Sequence, residues 1–380
     1  VVTTSYPRYV GDPAGQFVAG LNRYLLLQGH SLEVLAAAPA SPPGCDEEAT
    51  TGVQVLRFPS SLFYQGGAPD ALGAGGTAVL EALRFSGTLG RALKARRGGY
   101  DALLSHWLVP CGALAATLFT AGPHVAIAHS SDIHLLRRLR LLPVVRYVAA
   151  RARLVYTSAS LRVPGAPGVV VPMGIEVAAF HATAEQRALA KKRWAVDSPT
   201  VLFLGRLVPV KGVSVLLQAL AQLPSHKLLV AGEGPLRGAL QAEAAALGPR
   251  VRFLGEVDAT LRRELLWACD VLAVPSLALP DGRTEGAPQV VLEGLAAGCA
   301  VVASAVGGIR ELLGEAGWLL PPGDAAALAA ALREAGDAPY AEPAQRDKTQ
   351  TRATAHAKRF DWSVIAPAIL GPRFTVPRDE

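Results

Sequence analysis

Paired cysteines, acidic metal pairs, a dinucleotide fingerprint and long apolar runs are all missing from this chain. Only four of its 380 residues are cysteine: Cys45, Cys111, Cys269 and Cys299. None makes a CxxC pair, which disfavours a zinc site and, more strongly, a disulfide framework, and suits a reduced, cytosolic setting. No Asp-x-Asp pair occurs, so no simple acidic ligand set for a divalent cation is legible. Without a GxGxxG fingerprint and its acidic ribose partner, a dehydrogenase is a poor reading. No apolar run reaches the length of a membrane span. Aromatic residues make up 6% of the chain, too few for a base-stacking surface, and no nucleic-acid motif is present, so no nucleic-acid partner is expected. The chain begins at Val1 without methionine, inside its first strand, which leaves a removed leader an open question.

The chain is rich in short apolar runs. It is 51% hydrophobic, with 38 glycines and 28 prolines, and its length suits two domains with ample core. Strand-like runs fall at 1–4, 32–36, 53–58, 102–105, 124–128, 154–157 and 169–171, then at 201–204, 227–230, 251–253, 271–274, 300–303 and 318–319. Amphipathic helical stretches fill the gaps, among them 14–28, 213–220, 236–246 and 325–335. Alternating strand and helix implies parallel sheets covered on both faces. The expected fold class is α/β, with two doubly wound, Rossmann-like domains. Pro164 to Pro172 reads as a linker. The expected division is 1–170, 171–345 and a helical tail over 346–380, one route for which is back across to the N-terminal domain.

Charge is uneven. Residues 1–170 hold 15 Lys and Arg against 9 Asp and Glu, whereas residues 171–380 hold 22 of each. Between Arg84 and Arg162 twelve basic residues face only Asp101 and Asp132, and Arg137, Arg138 and Arg140 interleave with Leu135, Leu136, Leu139, Leu141 and Leu142. A basic segment is most often a solvated face. One set among leucines also suits an anionic membrane surface. The expectation is a cytoplasmic protein, peripheral on the inner face of the membrane.

In open parallel sheets, ligands gather at the carboxyl ends of strands. After the first strand comes a loop with Gly11, Asp12 and Gly15. After 201–204 comes Gly205-Arg206-Leu207-Val208-Pro209-Val210-Lys211-Gly212, where two cations at a strand-to-helix turn can clamp a diphosphate. After 227–230, Gly232 opens a tight turn. His129 follows the run 124–128. The richest stretch is Pro275 to Gly298. Glu285 and Glu293 lie in it with seven residues between them, and Pro288 suits a first helical turn. Glu285 is expected at a helix mouth and Glu293 inside the helix. Backbone N–H groups of Gly286, Ala287 and Gln289 would point outward, a seat for phosphate. Gly294 in mid-helix costs about 1 kcal/mol relative to alanine, which suggests that something approaches closely there. The plain alternative makes Glu285 a helix-start charge and Glu293 a solvated residue.

Together, LFLGRLVPVKG, VAGEGP, VRFLGEV, the two-glutamate stretch and ASAVGGIREL resemble the retaining glycosyltransferases of family 4, which have the two-domain GT-B architecture with domains facing a cleft. TTSYPR, GDPAGQFV, QGHSLEV and AHSSD match more loosely, so the likeness spans nearly the whole chain. The loop PDGRTEGAP is similar to that of members assembling extracellular polysaccharides. The resemblance implies that Arg206 and Lys211 bind the donor diphosphate, that Glu285 holds the sugar hydroxyls and that Glu293 holds the ribose. It places Gly11 and Asp12 where the N-terminal loop meets donor and acceptor, and His129 against the transferred sugar. Gly232 and the turn from Leu254 to Val257 fall in the base-binding region. Gly294 and Ala287-Pro288 depart from the family pattern, which bears on the sugar pocket's shape. The implied catalytic set is His129, Arg206, Lys211 and Glu285. The implied donor set adds Gly11, Asp12, Gly205, Gly232, Leu254, Val257, Gly286, Ala287, Gln289 and Glu293. The implied reaction moves a sugar from a nucleotide diphosphate donor, UDP by preference, to a glycan, lipid-linked or small-molecule hydroxyl. No cofactor and no metal are expected. A nucleotide-sugar epimerase and a catalytically silent binder are the rival readings.

Overall fold

The computed structural model describes residues 1–9, 11–12, 14–38, 52–64, 76–341 and 343–374. Cys45 lies outside them. The chain forms two compact units, one made of Val1–Gly174 with the segment from Trp362 onward, the other of Ile175–Asp361.

In the first unit the strands are β1 (Val2–Thr3), β2 (Glu33–Ala38), β3 (Gln54–Pro59), β4 (Leu103–His106), β5 (His124–Ala128), β6 (Arg153–Tyr156) and β7 (Val169–Val170). They pair in the order β3-β2-β1-β4-β5-β6-β7, all parallel. The second unit holds β8 (Thr200–Leu204), β9 (Lys227–Ala231), β10 (Val251–Gly255), β11 (Val271–Val274), β12 (Ala300–Ser304) and β13 (Trp318–Leu320). Their order is β10-β9-β8-β11-β12-β13, again all parallel. Every apolar run expected to be a strand is one. Pro164 to Pro172, expected as a linker, carries β7, whose Val170 pairs with Tyr156.

β5, β8, β11 and β12 bury every residue, as parallel strands covered on both faces must. In each sheet the order reverses once, between β1 and β4 and between β8 and β11. These switch points open a crevice at the carboxyl ends of the strands.

The helices that matter below are α1 (Gln16–Leu27), α2 (Ser130–Arg138), α3 (Pro143–Ala149), α4 (Ala184–Trp194), α5 (Ala259–Ala268), α6 (Gln289–Ala296), α7 (Ala325–Ala341), α8 (Pro343–Ala357) and α9 (Trp362–Leu370). α4 opens with a capping box: the Thr183 hydroxyl accepts from Gln186 N at 3.2 Å, and Thr183 N donates to the Gln186 side chain at 2.9 Å. α9 packs on α1 because Gly20 has no side chain: a Cβ there would lie 2.7 Å from Trp362 Nε1. Among the described residues no helix is long and apolar enough to cross a membrane.

Candidate active site

In the second unit the loops after β8, β9 and β10 converge. Gly205 N donates to Ala231 O at 3.0 Å, and Gly232 N donates to Gly255 O at 2.7 Å. Gly232 sits at φ 139°, and a Cβ there would lie 1.9 Å from Gly205 O. Only glycine lets the three strand ends close this tightly. Leu254 is half-buried beside them and Val257 is buried.

The next turn leads across the switch point. Gly212 adopts φ 64°, with its Cα hydrogen facing Pro275 O where a Cβ would stand 1.9 Å away, and Leu277 N donates to Val210 O at 2.8 Å. This ties the post-β8 turn to the post-β11 loop. The result is an ion pair: Lys211 Nζ stands 2.9 Å from Glu285 Oε1, the two side chains 19% and 11% exposed. Arg206, in the same turn, is exposed. Sequence spacing brings neither Lys211 nor Glu285 to the other; the β8–β11 pairing does.

The backbone around Glu285 is wedged against a second glycine turn. Gly308 N donates to Gly286 O at 2.5 Å, and a Cβ on Gly307, at φ 54°, would lie 1.8 Å from Glu285 O. Gly307 and Gly308 form the glycine pair in ASAVGGIREL, to which the sequence alone assigns no role.

α6 begins one residue later than the proline suggested. Pro288 is the N-cap, with ψ 120°, and Gln289 is the first helical residue, so Gly286 and Ala287 precede the helix. Glu293 lies inside α6, as expected, but is not solvated. It is 6% exposed, its Oε1 accepts from Arg262 Nη1 of α5 at 2.9 Å, and its Oε2 is buried with no partner among the described residues. Arg262 was missed, because nothing in the chain links it to a residue 31 positions on. Gly294 is close-packed for a different reason than a ligand. A Cβ there would lie 2.4 Å from Leu272 Cδ2 of β11, so the strand beneath demands the glycine.

In the first unit, Gly11 takes φ 91°. Asp12 is 1% exposed and closes its own loop, accepting from Arg8 N at 3.0 Å, Arg8 Nε at 2.7 Å and Ala14 N at 3.1 Å. His129 is the N-cap of α2 and half-buried. Its Nε2 lies 3.3 Å from His106 Nδ1, and the two rings stack 5.5 Å apart at 17°. Phe17 and Trp107 complete the cluster, 5.1 and 4.7 Å from the His129 ring. Burial pushes His129 down to about 3. Burial and then the neighbouring imidazole hold His106 well below the usual range. Both rings are therefore neutral at pH 7, and His129 is a weak proton acceptor. His106 also went unforeseen, although it stands at the carboxyl end of β4. Beneath them Asp132 is buried, and burial raises it to about 7 even though Leu108 N at 2.5 Å and Ile133 N at 2.9 Å donate to it.

Residues 198–337 match the family of group 1 glycosyl transferases. The phosphatidyl-myo-inositol mannosyltransferase of Mycobacterium tuberculosis is 30% identical over 325 residues, covering 80% of this chain and 83% of that protein. The D-inositol 3-phosphate glycosyltransferase of Xylanimonas cellulosilytica is 31% identical over 405 residues, covering 95% of this chain and 91% of its own. The crystal structure of Anabaena HepE in complex with UDP and glucose shares the fold, with TM-score 0.72 at 20% identity over 97% of both chains. The two parallel-sheet units are those of the GT-B fold. This chain belongs to the group 1 glycosyltransferases.

Proposed function

We propose that the protein transfers a sugar from a nucleotide diphosphate donor to an acceptor hydroxyl with retention at the anomeric carbon, and without a divalent metal. The observation that carries this reading is the Lys211–Glu285 pair, held at 2.9 Å at the β8–β11 switch point. A diphosphate and a sugar are the two halves of one ligand that such a cation and such a carboxylate can divide between them. Arg206 and Lys211 neutralise charge that grows on the leaving diphosphate, and the N–H groups at the start of α6 add to it. Glu285 accepts hydrogen bonds from sugar hydroxyls. The unpaired Oε2 of Glu293 accepts from the ribose.

The bond from the anomeric carbon to the diphosphate oxygen breaks, and the acceptor oxygen bonds to that carbon on the same face. The acceptor's proton passes to the leaving phosphate. His129 holds the sugar and does not act as the base, in keeping with its low basicity. A UDP-sugar is the preferred donor, since HepE is crystallised with UDP, and a lipid-linked or glycan hydroxyl is the preferred acceptor, since the mycobacterial relative is a phosphatidylinositol mannosyltransferase.

The test is to incubate UDP- and GDP-sugars with acceptor hydroxyls in excess chelator and to read product anomericity by NMR. Retained product in chelator is expected. Turnover that vanishes and returns only with magnesium or manganese would refute the metal-free scheme. Epimerised donor without acceptor would favour an isomerase.

A further inference from the structure

The second unit carries a cavity of about 60 Å³ at the amino ends of its strands, opposite the glycine-lined ends. Asp270, just before β11, lines it together with Arg187 of α4, Glu334 of α7, and Arg346, Thr349 and Gln350 of α8. Two guanidinium groups thus converge on one small space. Arg187 Nη2 donates to Ala297 O at 2.6 Å. With the Gln350 amide turned to suit, its oxygen accepts from Arg187 Nη2 at 2.9 Å and Nε at 3.1 Å. Arg346 has no hydrogen bond or ion pair among the described residues. Burial first, and then the Cys299 and Arg346 groups, perturb the Arg187 guanidinium, with a net fall from its ordinary range.

The acids that line the cavity are Asp270 and Glu334. Asp270 is committed to Lys191 Nζ at 2.8 Å and to Thr200 N at 3.1 Å. Glu334 is exposed to solvent and forms no ion pair with either arginine. Two like charges facing a partly dry space are costly, and a bound anion removes that cost through charge-assisted hydrogen bonds. A water needs roughly 10–15 Å³ of such space, so the cavity admits a few waters or one tetrahedral oxyanion, and no nucleotide.

We propose that this cavity is an oxyanion site in which Arg187 and Arg346 clamp one phosphate group, free or as the head of a phosphate monoester, with Thr349 as a further donor. The site stands on its own residues, independent of the donor reading. Its placement gives it a route to the other end of the unit. Arg187 holds the carbonyl of Ala297, the C-cap of α6, and α6 is eight residues long, about 12 Å. Whatever loads Arg187 acts on the helix that carries Glu293.

The experiment titrates inorganic phosphate into the full chain carrying Arg206→Ala and Lys211→Ala, so that the cations of the candidate donor site are gone. Chloride keeps the ionic strength constant. Calorimetry is expected to show one site with a dissociation constant on the order of 1 mM. Adding Arg346→Gln is expected to weaken it at least tenfold, and the change sits on a partly exposed helical position that folding tolerates. Glucose 6-phosphate in place of phosphate separates the two sources: equal affinity marks a site for the phosphoryl head, and a tenfold loss marks a site for free phosphate. No heat up to about 20 mM phosphate, or binding that Arg346→Gln leaves unchanged, overturns the proposal.

Discussion

Lys211 and Glu285 neutralise each other at 2.9 Å in surroundings that leave each less than a fifth exposed. Removing one therefore does two things. Lys211→Ala leaves Glu285 without its cation and, on the proposed mechanism, takes a charge from the leaving diphosphate. We expect kcat to fall about 10²–10³-fold, the usual effect of losing one such stabiliser. The double change Lys211→Ala, Glu285→Gln is expected to regain stability, read as melting temperature, without regaining activity. A rise in KM alone would mean that Lys211 binds substrate and transition state equally. Arg262 acts through Glu293. Its bond at 2.9 Å keeps Oε1 occupied and leaves Oε2 unpaired, the atom that the proposed reading gives to the ribose. Calorimetry with UDP and 2′-deoxy-UDP separates the possibilities. The parent is expected to prefer the ribonucleotide, and Arg262→Met and Glu293→Gln are each expected to erase that preference while diphosphate contacts persist. A parent without the preference would remove Glu293 from the ribose; a preference kept by Arg262→Met would make the ion pair structural only.

At the scale of elements, the strands were legible because parallel strands buried on both faces read as unbroken apolar runs, and the glycines after them marked their turns. What joins elements was not. Lys211 and Glu285 meet only because β8 pairs with β11, and a single chain shows no such pairing directly. Gly294 illustrates the same limit. A mid-helix glycine looks alike whether a ligand or a Leu272 methyl lies against it. The mouth of α6 shifted by one residue because proline fits both the N-cap and the first turn. The strand-end closure can be tested at Gly232, with the loop glycine Gly282 as the comparison. Gly232→Ala meets both a positive φ of 139° and a contact at 1.9 Å with Gly205 O, whereas Gly282→Ala meets a φ of 83° with nothing within 4 Å. Strain alone costs about 1–3 kcal/mol, so both should lose stability. Gly232→Ala is expected to lose clearly more, and to lose nucleotide affinity as well. Equal losses in denaturant melts would show that the tight closure of β8 on β9 is not needed.

At the scale of the whole chain, buried histidines and the basic surface set how the first unit responds to its surroundings. Burial lowers His124 to about 4 and His129 to about 3, and holds His106 well below its usual range. All three are neutral when folded and take up protons when unfolded. Their contribution is complete above about pH 6.5 and is lost as pH falls toward 4, about 3 kcal/mol for His124 alone. Asp132, raised to about 7, runs the other way and gains over the same descent. Three groups outweigh one, so calorimetric melting of the first unit is expected to drop between pH 6.5 and 5, and more steeply in Asp132→Asn. An unchanged midpoint would contradict these burials. The arginines of the basic excess fall into two groups. Arg137 donates to Ser160 O and Arg162 O at 3.2 Å, Arg146 to Pro164 O at 3.1 Å, and Arg153 to Ile369 O and Ala368 O at 3.0 Å. These arginines fasten carbonyls. The turn between α2 and α3 is different: Arg138 and Arg140 are exposed, and Leu139 and Leu141 beside them are 49% and 47% exposed. Leucine tips between exposed arginines suit shallow insertion into an anionic bilayer, with each basic residue contributing about 1 kcal/mol within a Debye length. Vesicle co-sedimentation is therefore expected to require anionic lipid, to weaken with salt, and to fall in Arg138→Gln, Arg140→Gln with donor affinity unchanged. Replacing Leu139 and Leu141 with serine should weaken binding even at low salt. Equal binding to neutral and anionic vesicles, or none to either, would leave this turn a solvated one and make a soluble acceptor the better reading.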